Sequence, residues 1–155
     1  MKLILKADRL IDGSSTKVMP HAAVVIEGDT ISKVCSQSEL TETELDDARV
    51  IDSSNGTLMP GFIEMHSHIH CSAESDAYTH ITTETNETFL LRGSQAVRSA
   101  LSSGVTTMRD LGSKNEVVFP LKQSIEDGIV PGPRLLVAGT PITTTGGHSL
   151  SLIHI

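Results

Sequence analysis

An α/β fold is predicted, in which a small β-rich unit leads into parallel strand and helix repeats. Three observations predict it. Short apolar or β-branched runs parted by turn residues fill the beginning of the chain. From Leu58 onward such runs alternate with a helical pattern, the signature of β/α units. Hydrophobic residues make up 38% of the 155 residues, and with 12 glycines the apolar share is close to the globular norm, so a buried core is expected and disorder is not.

In chain order, Leu3 to Leu5, Ala22 to Glu27 and Thr30 to Cys35 read as strands, and Gly28-Asp29 between the last two is a two-residue hairpin turn. The acidic stretch from Glu39 to Asp47 reads as a solvated loop. Arg49-Val50-Ile51-Asp52 is a strand, followed by a turn at Ser53-Ser54-Asn55-Gly56 and a new strand. Gly61 to His68 is the first strand of the second part, with a polar loop to about Thr85. A helix follows from Asn86 to Ser103, because Phe89, Gly93, Ala96, Val97, Ala100 and Leu101 form one stripe that Gly104 terminates. Val105 to Arg109 is the next strand. Ser113-Lys114-Asn115-Glu116 has the form of a capping box, yet Pro120 offers a second start for the same helix, and the sequence leaves both open. Pro131-Gly132-Pro133 is a loop and Arg134 to Gly139 the third strand.

Three such units fall short of a closed (β/α)8 barrel, which needs eight strands and typically about 250 residues. The chain therefore reads as the opening of a longer protein. Its last residues, Leu150 to Ile155, back-translate to a string that resembles a transposon-end sequencing adaptor, and they are expected to be adaptor-derived. The expected organisation is a β-rich unit over 1–57, the start of a barrel over 58–149 and a tail over 150–155.

Composition excludes several classes of function. Twelve Lys and Arg against 19 Asp and Glu give a net charge of −7 with no basic stripe, and Phe62, Phe89, Phe119 and Tyr78 are the whole aromatic content. Neither the electrostatic nor the stacking component of nucleic-acid binding is supplied. Residues Leu135 to Ile155 lack charge, but Pro141, Gly146 and Gly147 make them unsuitable as a membrane helix. The opening apolar run stops at Lys6, too short for a secretory signal, so the expected location is cytoplasmic and Cys35 and Cys71 are expected to be reduced thiols.

Chemistry concentrates at His66-Ser67-His68. Alternate residues of a strand share a face, so imidazoles two apart sit close enough to hold one metal ion. Hydrolytic zinc sites use a few His or carboxylate ligands and leave a position for water, whose pKa falls to about 7. Spacing alone leaves open a chance pair, since the chain has seven His.

The segment Pro60-Gly61-Phe62-Ile63-Glu64-Met65-His66-Ser67-His68 resembles the first barrel strand of the amidohydrolase superfamily, in which a Pro-Gly-hydrophobic-hydrophobic-Asp-x-His-x-His stretch delivers two metal ligands. Two further stretches, Gly104 to Gly112 and Gly132-Pro133-Arg134 through Gly146-Gly147-His148, resemble the branch of imidazolonepropionase-like proteins and metal-dependent Xaa-Pro or Xaa-Arg dipeptidases. The resemblance spans Met1 to Ser149 and implies an N-terminal β half-sandwich followed by a barrel. It implies zinc, as one or two divalent ions, held in part by His66 and His68, and a small-molecule or dipeptide substrate. It leaves room for a homo-oligomer in the full-length enzyme.

Glu64 departs from the family's usual Asp. It shares strand parity with the two His and is read either as an acceptor that orients one imidazole or as an ion-pairing residue of the barrel interior. Asp110 is read either as a carboxylate supporting the ligands or the substrate, or as half of a rim ion pair with Arg109 or a neighbour. Family position suggests that His148 lines the substrate pocket. His70 is read as a loop residue, and His21, His80 and Cys71 have no motif support. The superfamily's carboxylated lysine, two further histidines and general-base aspartate have no counterpart here. The implied full-length activity is hydrolysis of a C–N bond, with the chain alone inactive. Deamination or imidazolone ring opening on the same scaffold, and a non-catalytic scaffold, are the alternatives.

Overall fold

The computed structural model describes residues 2–71, 80, 83–144 and 147. Two compact units part between Pro60 and Gly61. His148 and the expected tail over 150–155 lie outside the described residues.

The first unit is one four-stranded sheet in the order β3-β2-β1-β4, built from β1 (Lys2–Leu10), β2 (Met19–Glu27), β3 (Thr30–Ser36) and β4 (Ala48–Leu58). β1 pairs antiparallel to β2 and parallel to β4. In β2, Ala22, Ala23, Val24 and Val25 are all buried, so the sheet carries apolar side chains on both faces. One cluster gathers Ile4, Ala23, Val25 and Cys35 under Leu40, Leu45 and Ala48; the other gathers Leu10, Ala22 and Val24 with Leu5, Ile26 and Leu58.

Two expectations for this unit need correction. The turn expected at Ser53 to Gly56 does not divide two strands, because β4 runs unbroken through it. The extra residues are absorbed as a bulge: Ala7 pairs with Ser53 and Arg9 with Thr57, Asn55 takes φ 71°, and its N–H donates to Asp8 Oδ2 at 3.1 Å. The acidic stretch expected to be a loop contains a short 3-10 turn (Gln37–Glu39) and helix α1 (Glu42–Asp46). Thr41 Oγ1 accepts from Glu44 N, and Glu44 Oε2 accepts from Thr41 N at 2.8 Å, a complete capping box.

The second unit is a parallel three-stranded sheet in the order β5-β6-β7, formed by β5 (Phe62–Ser67), β6 (Val105–Asp110) and β7 (Arg134–Val137). Helices α2 (Asn86–Ser102) and α3 (Asn115–Glu126) connect the strands. Helix α2 begins at Asn86 and ends before Gly104 at φ 92°, as the sequence predicts, and the Thr85 side chain caps its start by accepting from Thr88 N. It buries Phe89, Gly93 and Val97 of the predicted stripe. Helix α3 begins at Asn115 and passes through Pro120, which settles the two starts left open. Its N-cap is Lys114 without a side-chain capping bond, so Ser113 is released from the expected capping role.

Ile69, Val97, Val118, Leu121 and Leu135 form the core between sheet and helices, with Met108, Ile125, Val130 and Val137 packed around it. Phe62, Ile63, Met65 and Leu136 remain at least half exposed, and β5 and β7 each carry an unpaired edge among the described residues. None of the described helices is long and apolar enough to cross a membrane. Cys35 and Cys71 are free thiols.

The capping box has a pH signature. Hydrogen bonds from the Thr41 backbone, then from the Lys33 ammonium, hold the Glu44 carboxyl down at about 2. A depressed folded value means that this stabilisation is fully present above the ordinary carboxyl value of 4.5 and is lost as pH falls towards 2. Thermal unfolding of the Glu44→Gln variant is expected to lie below wild type at neutral pH, with the two melting curves converging as the pH drops through that window.

Candidate metal centre

The site begins with the backbone of β5. Gly61 precedes the strand, and a Cβ at this position would run into the side chain of Thr106 on the neighbouring β6. Only a residue without a side chain lets the two chains approach, so Gly61 fixes where β5 enters the sheet. Phe62 pairs with Val105, Glu64 with Met108 and Ser67 with Asp110, so three steps along β5 are set against two along β6 between Glu64 and Ser67. The strict alternation assumed from the sequence is interrupted there, next to His66.

The imidazoles of His66 and His68 nevertheless meet, with ring centroids 5.4 Å apart and planes at 72°. His66 is exposed and His68 half-buried, just beyond the last residue of β5. His68 Nδ1 lies 3.0 Å from the carbonyl oxygen of Gly112. A carbonyl can only accept, so Nδ1 carries the proton; in the neutral ring Nε2 then keeps its lone pair, the arrangement of a metal-ligating histidine. Gly112 itself is packed beneath Pro141: a Cβ there would lie 2.6 Å from Pro141 Cγ.

Glu64 reaches His66 through the main chain, its Oε1 accepting from His66 N at 2.9 Å. Of the two roles read from the sequence, orientation of a ring and ion pairing, the observed bond is neither. Arg109 is equally removed from the expected rim pair, donating from Nε to Met65 O at 2.8 Å.

Asp110 at the end of β6 is fully buried. Its Oδ2 accepts from Ile69 N at 2.8 Å and from Ser113 Oγ at 2.6 Å, and its Oδ1 accepts from Gly112 N at 3.0 Å. It touches neither His66 nor His68 directly by hydrogen bond, but it holds the residue whose carbonyl receives His68 Nδ1. Other bonds bind the same strand ends: Leu111 N to Ser67 O at 2.9 Å, Ala138 N to Asp110 O at 3.1 Å, and Ser113 N to Gly139 O at 3.1 Å.

Two participants went unrecognised in the sequence. Ser113 is fully buried and its hydroxyl proton goes to Asp110, so its oxygen must accept from His70 Nδ1, 2.9 Å away. His70 is in the turn after β5, as expected, yet it is 6% exposed and packs edge-on against Phe89. Burial pushes its imidazole below the usual value; the Asp110 carboxylate pulls it back up, while His68 and Lys114 add to the lowering. The buried Lys114 ammonium lies 5.0 Å from the centre of the Phe89 ring.

For a divalent ion this donor set fits as one side of a site. It offers two imidazoles close together, one with its tautomer fixed. Among the described residues no group of three His, Cys, Asp or Glu converges to hold a metal ion.

The second unit is thus a parallel β/α layer with two neighbouring histidines where its first strand ends. The amidohydrolase family profile matches residues 57–153, and the chain belongs to that family. The chain is 30% identical over 150 residues to ochratoxinase of Aspergillus niger, an alignment covering 94% of this chain and 29% of that protein. Its structure is similar to that of a Xaa-Pro dipeptidase with bound methionine, at a TM-score of 0.85 and 32% identity over 97% of this chain and 36% of the other. It is also similar to a prolidase complexed with N-methylphosphonate-L-proline, at 0.80 and 30% identity over 96% and 34%. The chain thus spans under a third of the ochratoxinase sequence and about a third of these two structures.

The tight contact at the start of β5 yields a test. Gly61→Ala is expected to lower stability by about 1–3 kcal/mol, the usual cost of overpacking. Chemical denaturation measures it, and the loss should shrink when the same change is made in a Thr106→Gly background.

Proposed function

We propose that the full-length protein is a metal-dependent hydrolase of C–N bonds that acts on a dipeptide or another small amide, in the cytoplasm. The observation that carries this reading is the His66 and His68 pair, with His68 Nδ1 committed to Gly112 O. Support for the substrate class comes from the neighbours named as a Xaa-Pro dipeptidase and a prolidase.

His66 and His68 would hold the ion, with zinc the fitting metal for two imidazoles. Once bound, it would supply Lewis-acid polarisation of the acyl group and a water acidic enough to attack at neutral pH. The chain's own contribution is placement. β5 carries His66 and the turn directly after it carries His68, Gly112 fixes one tautomer, and the Asp110 cluster anchors the loops that follow β5 and β6. Glu64 holds the backbone amide of His66 and so supports that ring through the main chain. His148 is assigned to the substrate side, at the end of the stretch after β7. Proton transfer to the leaving amine is assigned to a residue beyond those present here, so the 155-residue chain alone does not turn over substrate.

The test compares two purified proteins, this chain and the one encoded by the complete reading frame, assayed for Xaa-Pro dipeptide hydrolysis with added zinc. Activity is expected only from the longer protein, with kcat/KM reduced at least about 100-fold by His66→Ala or His68→Ala. Turnover by the 155-residue chain would overturn the reading. Metal content unchanged in the His66→Ala protein would point instead to a scaffold without chemistry.

A further inference from the structure

We propose that Asp110 is the positioning residue of this centre: its carboxylate sets the tautomer and direction of His68 by holding the amide of Gly112. The proposal rests on the reading of His68 as a metal ligand, but its geometry stands on bonds already formed.

Three donors converge on two oxygens, and they come from two different loops. Ile69 N belongs to the turn after β5, while Gly112 N and Ser113 Oγ belong to the turn after β6. The Gly112 N–H is held by Asp110 Oδ1, Pro141 leaves no room for a Cβ there, and the peptide that carries the Gly112 carbonyl is held on its other side by Ser113 N–H donating to Gly139 O at 3.1 Å. That carbonyl receives His68 Nδ1–H. The path from the buried carboxylate to the ring is therefore two hydrogen bonds long and passes through a single peptide residue.

The same geometry shows why the residue must be a carboxylate. An Asn at 110 keeps the shape but has one acceptor oxygen. If that oxygen faces Ile69 N and Ser113 Oγ, the amide NH2 points at Gly112 N–H, donor against donor. Turning it over satisfies Gly112 but opposes Ile69 N–H. The first arrangement keeps two bonds and is favoured, and it pushes Gly112 off His68. Removing the Ser113 hydroxyl is different, because the Gly112 bond is on the other oxygen.

Long-range ¹H–¹⁵N spectra of the histidine rings in this chain, at alkaline pH, read the tautomers directly. Wild-type His68 is expected as the Nδ1–H form alone. In Asp110→Asn it becomes a mixture of both tautomers, and zinc affinity, followed by titration of the same signals, falls about 10–100-fold. In Ser113→Ala the His68 signals stay as in wild type while those of His70 move. Wild-type His68 in the Nε2–H form overturns the proposal whether or not any variant folds. So does a single retained tautomer in folded Asp110→Asn, or a lost one in Ser113→Ala. Zinc that leaves the wild-type His66 and His68 signals unmoved refutes the metal reading alone, since the tautomer comparison needs no metal.

Discussion

The carboxylate of Asp110 lies where the loops leaving β5 and β6 come together, and it takes one donor from the first and two from the second. Parallel strands that end side by side leave backbone N–H groups with no ladder partner, and a buried orphan donor costs on the order of 1–3 kcal/mol. A short acidic side chain at the end of the middle strand answers two of those N–H groups at once. The arrangement has an all-or-none character. A carboxylate removed from water is tolerable only while its acceptors are filled, so losing one donor leaves the others paired to an under-satisfied group.

On the proposed reading of His66 and His68 as ligands, chemistry and stability are joined at one end of the second unit. Ligand histidines work only if their rings are held in direction and tautomer, and the outer contacts that do so commonly matter almost as much as the ligands. Here the holding is done by main-chain atoms whose own positions are set by burial: Gly112 under Pro141, Ser113 fully enclosed, and the Met65 and Ser67 carbonyls tied to Arg109 and Leu111. The sheet of the first unit has its own two apolar clusters and its own capped helix.

How much of this was legible depended on whether a feature is local. Helix α2 could be read closely because its stripe and the Gly104 that ends it act within a few residues. The His-x-His pair could be read for the same reason. Thr41-Glu42-Thr43-Glu44 was equally local and was passed over because its net charge resembles a solvated loop, although the Thr-x-x-Glu spacing is the capping signal itself. Residues Ser53 to Gly56 carry a turn composition, and only pairing with β1 along the whole of β4 turns them into a bulge. The capping role that the sequence leaves open for Ser113 fails for a deeper reason. Ser-x-x-Glu is a valid helix start, but a buried carboxylate three residues earlier in the chain competes for the hydroxyl and wins. No sequence pattern records that competition, because Ile69, the third party to it, is some forty residues away.

His70 shows the same limit from the other side. Continued alternation would make His66, His68 and His70 three ligands in a row, and three imidazoles are what a zinc ion often takes. The strand stops at Ser67, however, and Cys71 N bonds back to His68 O at 2.9 Å, closing a turn that carries His70 away from the strand direction. Its ring enters the layer of Phe89 and gives its Nδ1 proton to Ser113. A ligand needs a lone pair aimed at the ion, whereas a packed and bonded ring serves by being immobile. His70 belongs to the second kind, and its place beside two candidate ligands follows from the turn that Asp110 holds by the Ile69 amide.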